Sequence, residues 1–158
     1  MQTILEQSLQ TKFPEIKFVF SEYKNLIEIK FDKKYLTEVA LFLKDDPRLS
    51  FSMCEDLTAI DWATSNNRFS MIYILFSLSN KFRIKLKVDL EEGEKVDSIS
   101  AIWNSANWAE RETYDMFGIE FNNHPDLRRM YMPEEFEYHP LRKEFPVMGI
   151  PGSLSLPK

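Results

Sequence analysis

The densest run of chemically capable side chains is Glu110-Arg111-Glu112-Thr113-Tyr114-Asp115. Glu112 and Asp115 stand three apart and Arg111 and Asp115 four apart, so on a helix each pair shares a face. Two carboxylates so placed can pass a proton or hold a cation. The same spacing also describes a solvated helix face with an internal ion pair, and spacing alone favours that plainer reading. His124 and His139 each precede a proline, and neither has carboxylates at coordinating spacing. Each is therefore expected to bond a backbone carbonyl in an extended segment. The single cysteine, Cys54, excludes an internal disulfide and any cluster or zinc site held mainly by the chain's own thiolates. A buried, inert thiol in a strand is the expectation for it. No G-x-G-x-x-G, Walker or G-x-S-x-G sequence occurs, which excludes nucleotide binding through those loops and a nucleophile elbow. Trp62, Trp103 and Trp108 read as core or interface anchors. The residues themselves assign no catalytic, cofactor-binding or metal site.

These side chains need elements to position them. Ile4, Leu5, Ser8 and Leu9 predict an amphipathic helix over 3–11, stopped by Pro14. Ile16, Phe18 and Phe20 alternate with Lys17 and Val19, and Ile27, Ile29 and Phe31 with Glu28 and Lys30, which predicts a hairpin joined through Ser21–Asn25. Asp32 is placed to cap a helix with the stripe Leu36, Val39, Ala40 and Leu43, which Asp45-Asp46-Pro47 ends. Leu49–Leu57 is a strand candidate. Phe69–Leu78 is apolar on both faces, which predicts a central strand covered on both sides. Residues 82–90 alternate cleanly and should pair antiparallel with it through Ser79-Asn80-Lys81. Ser98–Trp103 suggests a turn or two of helix. Ser105 should cap a helix over about 106–117 that Gly118 closes in the left-handed conformation. The order α-β-β-α-β-β-β-α predicts a two-layer α+β domain with a mixed or antiparallel sheet over residues 1–118.

Of 158 residues, 25 are acidic and 20 basic, a net charge of −5 that argues against a general nucleic-acid or anionic-membrane surface. The longest apolar run, Met71 to Phe76, is far short of the roughly 20 residues a membrane helix needs. The first six residues lack the features of a signal peptide, so a soluble protein of a reducing compartment is expected. Six of the eight prolines lie beyond Gly118, which predicts an extended, Pro-rich tail over 119–158. That tail carries Phe121, Tyr131, Phe136, Tyr138 and Phe145, with Arg128, Arg129, Arg142 and Lys143 among six acidic residues. A free tail seldom carries so many aromatics. Either it wraps its own domain or it lies on another protein, and composition leaves the two even.

The segment Glu110–Arg129 resembles one family closely. E-R-E, then an acid and two apolar residues, then His, a basic residue and two apolar residues are matched by Glu110, Arg111, Glu112, Asp115, Met116, Phe117, His124, Arg128, Met130 and Tyr131. A second stretch, His139-Pro-Leu-Arg-Lys-Glu-Phe-Pro146, is similar to the H-P-L-R-K-[DE]-[FY]-P of the same family. Further matches are Leu57–Trp62, Arg68-Phe69, Ile102-Trp103 and Ala106-Asn107-Trp108. The family is that of the thirty-kilodalton subunit of proton-pumping NADH:quinone oxidoreductase (respiratory complex I). Asn123 and Tyr138 stand where the family usually has Gly, and Phe136 where Trp is common. The Asn123 turn survives because Asn tolerates positive φ.

The resemblance implies a structural component of the hydrophilic arm without a cofactor of its own. FMN and iron–sulfur clusters would sit in partner subunits. It also implies docking on the forty-nine-kilodalton-type subunit, which helps form the quinone cavity, near the terminal-cluster subunit. The chain would lie on the cytoplasmic side of a bacterial inner membrane, peripheral and held there through the complex. The equivalent component of a membrane-bound hydrogenase or ferredoxin-linked complex is the alternative. Partner-contact residues on this reading are Glu110, Arg111, Glu112, Asp115, His124, Arg128, Arg129, Tyr131, His139, Arg142 and Lys143. Their expected role is to fix the tail's exit and docking, with the arginines bonding partner carboxylates.

Overall fold

The computed structural model describes residues 2–64 and 66–149. Helix α1 (Gln2–Lys12) leads into strands β1 (Val19–Tyr23) and β2 (Leu26–Lys30). A short 3-10 turn, Lys33–Tyr35, then runs into α2 (Leu36–Asp45). Strands β3 (Met53–Asp61), β4 (Phe69–Ser77) and β5 (Phe82–Leu90) follow. The two-residue strand β6 (Val96–Asp97), helix α3 (Ala106–Phe117) and the two-residue strand β7 (Phe121–Asn122) complete the set. The sheet order is β1-β2-β5-β4-β3. Its β2–β5 pair is parallel and the other pairs are antiparallel. The chain leaves β2, crosses through α2 to the far edge, and returns by the β3–β4 hairpin so that β5 falls beside β2. The α+β architecture is the one the hydrophobic pattern predicts.

Strand register builds one continuous apolar face. Phe69, Met71, Tyr73 and Leu75 lie opposite Leu90, Val88, Leu86 and Ile84, and Ile84 and Leu86 lie opposite Ile27 and Ile29. Leu5 and Leu9 of α1, the stripe Leu36, Val39, Ala40 and Leu43 of α2, and Ala106, Met116 and Phe117 of α3 close over that face in a single core. The second apolar face of β4 behaves otherwise than the sequence suggests. Ile72, Ile74 and Phe76 lie opposite Lys87, Lys85 and Arg83; Ile72 is buried and the other two half-buried, but none of the three belongs to the cluster beneath the helices. Long cationic stems shield that face, because Lys and Arg can lay their methylenes on apolar surface while keeping the charge in water. The Arg83 guanidinium sits 4.8 Å from the Phe76 ring centroid and Lys87 lies 5.5 Å from Trp62.

Three local expectations are corrected. The first strand of the hairpin starts and ends about three residues later, with Ser21–Tyr23 inside β1, while the second lies one residue earlier. Lys24 and Asn25 both take positive φ, 51° and 63°, the two-residue turn whose twist matches that of paired strands. Ser105 does not cap α3 with its side chain; its Oγ donates to Cys54 O at 2.8 Å and ties the helix start to β3. The segment after β5 holds β6, which pairs in parallel with β7 beyond α3, before a single turn closed on Ile99 O. Asp32 does cap, accepting from Lys34 N–H at the 3-10 turn that leads into α2.

The boundary at Gly118 is a change of secondary structure without a break in packing. Ile119 and Phe121 are core residues, and residues 119–149 run back across α3. The last part of the expected tail, 150–158, lies outside the described residues. The β1–β2 turn yields a direct test. Replacing Lys24-Asn25 by Asn-Gly fits both left-handed positions better, and should raise the unfolding free energy by about 0.5–2 kcal/mol in urea titration.

Candidate functional site

Helix α3 has buried charged residues where the sequence suggested a solvated face. Glu110 and Asp115 are 0% exposed and Arg111 is 7% exposed, while Glu112 stays on the surface. Arg111 does not pair with Asp115. Its guanidinium donates to Arg128 O and Arg129 O at 3.2 and 3.4 Å and lies 4.8 Å from the Trp108 ring centroid. The i,i+4 ion pair loses because the returning chain brings two backbone carbonyls onto the guanidinium while Asp115 is engaged by other donors.

Asp115 is the centre of the arrangement. Its Oδ2 accepts the N–H groups of Met130, Tyr131 and Met132 at 3.0, 2.7 and 3.0 Å. Its Oδ1 takes Arg129 Nη1 at 2.6 Å. Burial raises the carboxyl's pKa, but those three N–H groups and the guanidinium outweigh it and hold the group below the usual range. The same tail also caps the helix. The last four carbonyls of a helix have no partner within it. Here Tyr114 O accepts from Gly118 N–H at 2.8 Å and Met116 O from Leu141 N–H at 3.0 Å. Asp115 O accepts from His139 Nδ1 at 2.9 Å, and Phe117 O from Arg142 Nε at 2.6 Å. Arg142 thus brings a cation to the negative end of the helix dipole. Gly118 is required twice: it takes φ +73°, and a Cβ there would lie 2.5 Å from His139 Nε2.

Glu110 organises the entry side of α3. It accepts from Ile99 N–H at 2.8 Å and from Ser98 Oγ at 2.5 Å. Burial pushes its pKa up to about 7, with the Ser98 and Ile99 bonds opposing. His124 lies beside it, Nε2 to Oε2 3.8 Å. His124 Nδ1 accepts from Asp126 N–H, so Nε2 carries the hydrogen and donates to Asn107 O at 3.2 Å. Both histidines therefore meet backbone carbonyls, as expected. Cys54 is buried in β3, and burial followed by the Glu110 charge pushes its thiol up to about 12. Asn123 does adopt positive φ, 60°.

A second anchor was not singled out from the sequence. Asp61, at the end of β3, receives Arg68 Nε and Nη2 at 3.2 and 3.0 Å, Ala63 N–H at 2.8 Å and Lys143 N–H at 2.8 Å. Burial opposes ionisation, yet Arg68 and these N–H groups bring its pKa down to about 2. Arg68 also pairs with Glu92 at 2.7 Å and with Glu144, and Arg142 reaches Glu92 at 3.0 Å. The only signal in the sequence was that Asp61 and Arg68 fall within the short matched stretches.

The expected partner-contact residues therefore separate by location. Glu110, Arg111, Asp115 and the His124 side chain are buried; Arg129, His139 and Arg142 are half-buried and engaged within the chain. Glu112, Arg128, Tyr131 and Lys143 face outward. Arg129 and Arg142 find their carboxylates in this chain's own Asp115 and Glu92, correcting the expectation that they bond a partner's. An open hollow of about 310 Å³ lies against His139, Arg142 and Phe145. Among the described residues no three His, Cys, Asp or Glu are placed to hold a metal ion.

Charged groups buried to fasten backbone define an α+β chain with a strapped C-terminal segment, a structural arrangement built around the two motifs. The chain belongs to the family of the 30 kDa subunit of respiratory-chain NADH dehydrogenase, whose family model matches residues 29–150. It is 38% identical over 143 residues to the corresponding NADH-quinone oxidoreductase subunit of Geobacter sulfurreducens, covering 89% of this chain and 87% of that one. The counterpart in Citrifermentans bemidjiense is 42% identical over 142 residues, with the same coverage. Among solved structures, the trypsin-resistant fragment of Nqo5 superposes with a TM-score of 0.67 at 25% identity, covering 80% of this chain and 98% of the fragment. A chain of the membrane-bound sulfane sulfur reductase, an archaeal respiratory membrane complex, shares the fold, with TM-score 0.74, 19% identity, and 93% and 86% coverage.

Two measurements test the anchors. Asp115→Ala leaves Arg129 and three N–H groups without their acceptor, and should cost about 3–5 kcal/mol of stability. It should also abolish slow amide exchange at Met130–Met132, whereas unchanged exchange there would disprove the strap. The Glu110 carboxyl, raised from 4.5 to about 7, binds its proton more tightly folded than unfolded. Its stabilising contribution is full below about 4.5 and is lost as pH rises to about 7. Glu110→Gln should remove that fall, about 3 kcal/mol between pH 5 and pH 8 in denaturant unfolding.

Proposed function

We propose that this chain is a structural, non-catalytic component of the peripheral arm of a proton-translocating NADH:quinone oxidoreductase. It carries no cofactor; FMN and the iron–sulfur clusters belong to partner subunits. It docks on the forty-nine-kilodalton-type partner that helps form the quinone cavity, close to the terminal-cluster subunit, on the cytoplasmic side of the membrane. No helix among the described residues is long and apolar enough to cross a membrane, so attachment runs through the complex. The observation that carries the reading is the engagement of Asp115. Both of its oxygens are engaged, by backbone and by Arg129, an arrangement that holds chain in place and keeps the carboxylate ionised rather than poised to take up a proton.

A second reading has one observation behind it. The fold recurs in a chain of an archaeal respiratory membrane complex named for sulfane sulfur reduction. The alternative, the equivalent component of a membrane-bound hydrogenase or ferredoxin-linked complex, is compatible with that shared fold. The identity to the NADH-quinone oxidoreductase relatives favours the NADH-linked reading.

Native purification through a tag on this chain tests both. The expected outcome is recovery of a multi-subunit complex with NADH:quinone reductase activity, flavin and iron, and none of these with the isolated chain. Stoichiometric flavin or iron on the isolated chain, or turnover lost on Glu112→Gln, would refute the non-catalytic reading. Recovery with hydrogenase or ferredoxin-oxidising subunits would select the alternative.

A further inference from the structure

The strap carries a compact surface loop, Met130–Tyr138, with both ends fixed at one point. At its start, the N–H groups of Met130, Tyr131 and Met132 bond the Asp115 carboxylate. At its end, Tyr138 O accepts from Arg129 Nη1 at 3.3 Å, and the adjoining His139 bonds Asp115 O. Inside, Phe136 is 5% exposed. Its ring meets Tyr138 and Phe145 at centroid distances of 5.6 and 6.3 Å, and its N–H closes a turn on Pro133 O. Loops with close ends, filled by their own side chains, form rigid surface features.

Its outward side is aromatic and acidic. Tyr131 is 60% and Tyr138 45% exposed, and Glu134, Glu135 and Glu137 all face solvent. None of these three carboxylates has an ion-pair partner among the described residues, although their neighbours do. The nearby arginines are already committed: Arg111 to carbonyls, Arg129 to Asp115, Arg142 to Phe117 O and Glu92, Arg128 to Asp126. On α3, exposed Glu112 and Trp108, one turn apart, border the place where the strap crosses at Arg111 and Asp115. The open face of the sheet differs, since its charges are answered across strands by Lys30–Asp89, Lys85–Glu28 and Arg83–Glu55.

We infer that the loop Met130–Tyr138 is a preformed docking element for a basic, Lys- or Arg-bearing surface of a partner protein, with Tyr131 and Tyr138 as its anchors. This rests on the proposed role as one component of a larger complex. It reverses the charge sign that the sequence suggested for that partner. Aromatic side chains supply large contact area with few rotors to immobilise. Three like charges within four residues repel one another in the free chain, and positive charge opposite relieves that repulsion. An anionic lipid surface or nucleic acid would be repelled by the same carboxylates. Because the loop is already pinned, little ordering accompanies binding.

The test uses the tagged full chain in the assembled complex. Glu134→Lys/Glu135→Lys/Glu137→Lys should lower the partner subunits recovered per tagged chain at least tenfold. Recovery within twofold of wild type would overturn the inference. The isolated variant's thermal midpoint checks that it folds. Should it not fold, carboxyl footprinting of the wild-type chain decides instead. Glu134, Glu135 and Glu137 should label several-fold less in the complex than in the free chain, and equal labelling would overturn the inference. Protection of the free chain by a divalent cation alone would assign these carboxylates to a metal and also overturn it. If the wild-type tag recovers no other subunit, the proposed function itself fails.

Discussion

A helix that ends inside a protein must find donors for its last carbonyls. Helix α3 ends against the sheet with Asp115, Met116 and Phe117 all buried, where an orphaned carbonyl or carboxylate is costly. The chain beyond Gly118 answers this need. It supplies His139, the Leu141 N–H and Arg142 to the carbonyls, and three successive N–H groups with Arg129 to the Asp115 side chain. The two sequence motifs are thus one structural unit, the first holding the acceptors and the second much of the donor set. The left-handed glycine between them both turns the chain and leaves room for His139.

The strap is fastened again at the sheet's edge. Asp61 takes the Lys143 N–H, while Arg68 and Arg142 share Glu92 and Glu144. A carboxylate that accepts several N–H donors gains charge-assisted bonds that a neutral acceptor would not provide. Asp115 and Asp61 follow this rule and are held ionised. Glu110 has fewer donors and no cation in contact, so burial dominates and its proton is retained near neutrality. Three buried carboxylates in one small chain thus differ in protonation through their donor count.

Committing the arginines internally decides what the surface shows. Arg111, Arg129 and Arg142 turn inward to carbonyls and carboxylates, and the loop Met130–Tyr138 keeps its glutamates and tyrosines on the outward side, while Arg128 and Lys143 stay exposed beside it. The other large exposed surface, the helix-free face of the sheet, is balanced by cross-strand pairs and shielded by Lys and Arg stems. The two surfaces result from one choice: charges at the strap are used to hold backbone, and charges on the sheet are used to neutralise one another.

The amino-acid sequence by itself determined the layers. Alternation in 82–90, the stripe Leu36, Val39, Ala40 and Leu43, and the glycine ending α3 specify strand, buried helix face and C-terminal turn through local geometry. The motifs also determined the family, because long spaced patterns of Glu110–Tyr131 and His139–Pro146 leave few other assignments. Tertiary structure alone decided what the motif residues do. Helical spacing can say that Arg111 and Asp115 face each other; it cannot say that carbonyls from residues 128 and 129 will arrive and win. Strands β6 and β7, two residues each and separated by a helix, carry no periodicity to detect. Asp61 and Arg68 lie far in sequence from Lys143 and Glu144, and nothing local joins them. Even the covering of β4 was undecided, since an apolar alternate face is compatible with a second layer or with cationic stems. The physical reason is common to all four: hydrogen-bond satisfaction and burial are settled between segments distant along the chain, whereas sequence periodicity reports only on neighbours.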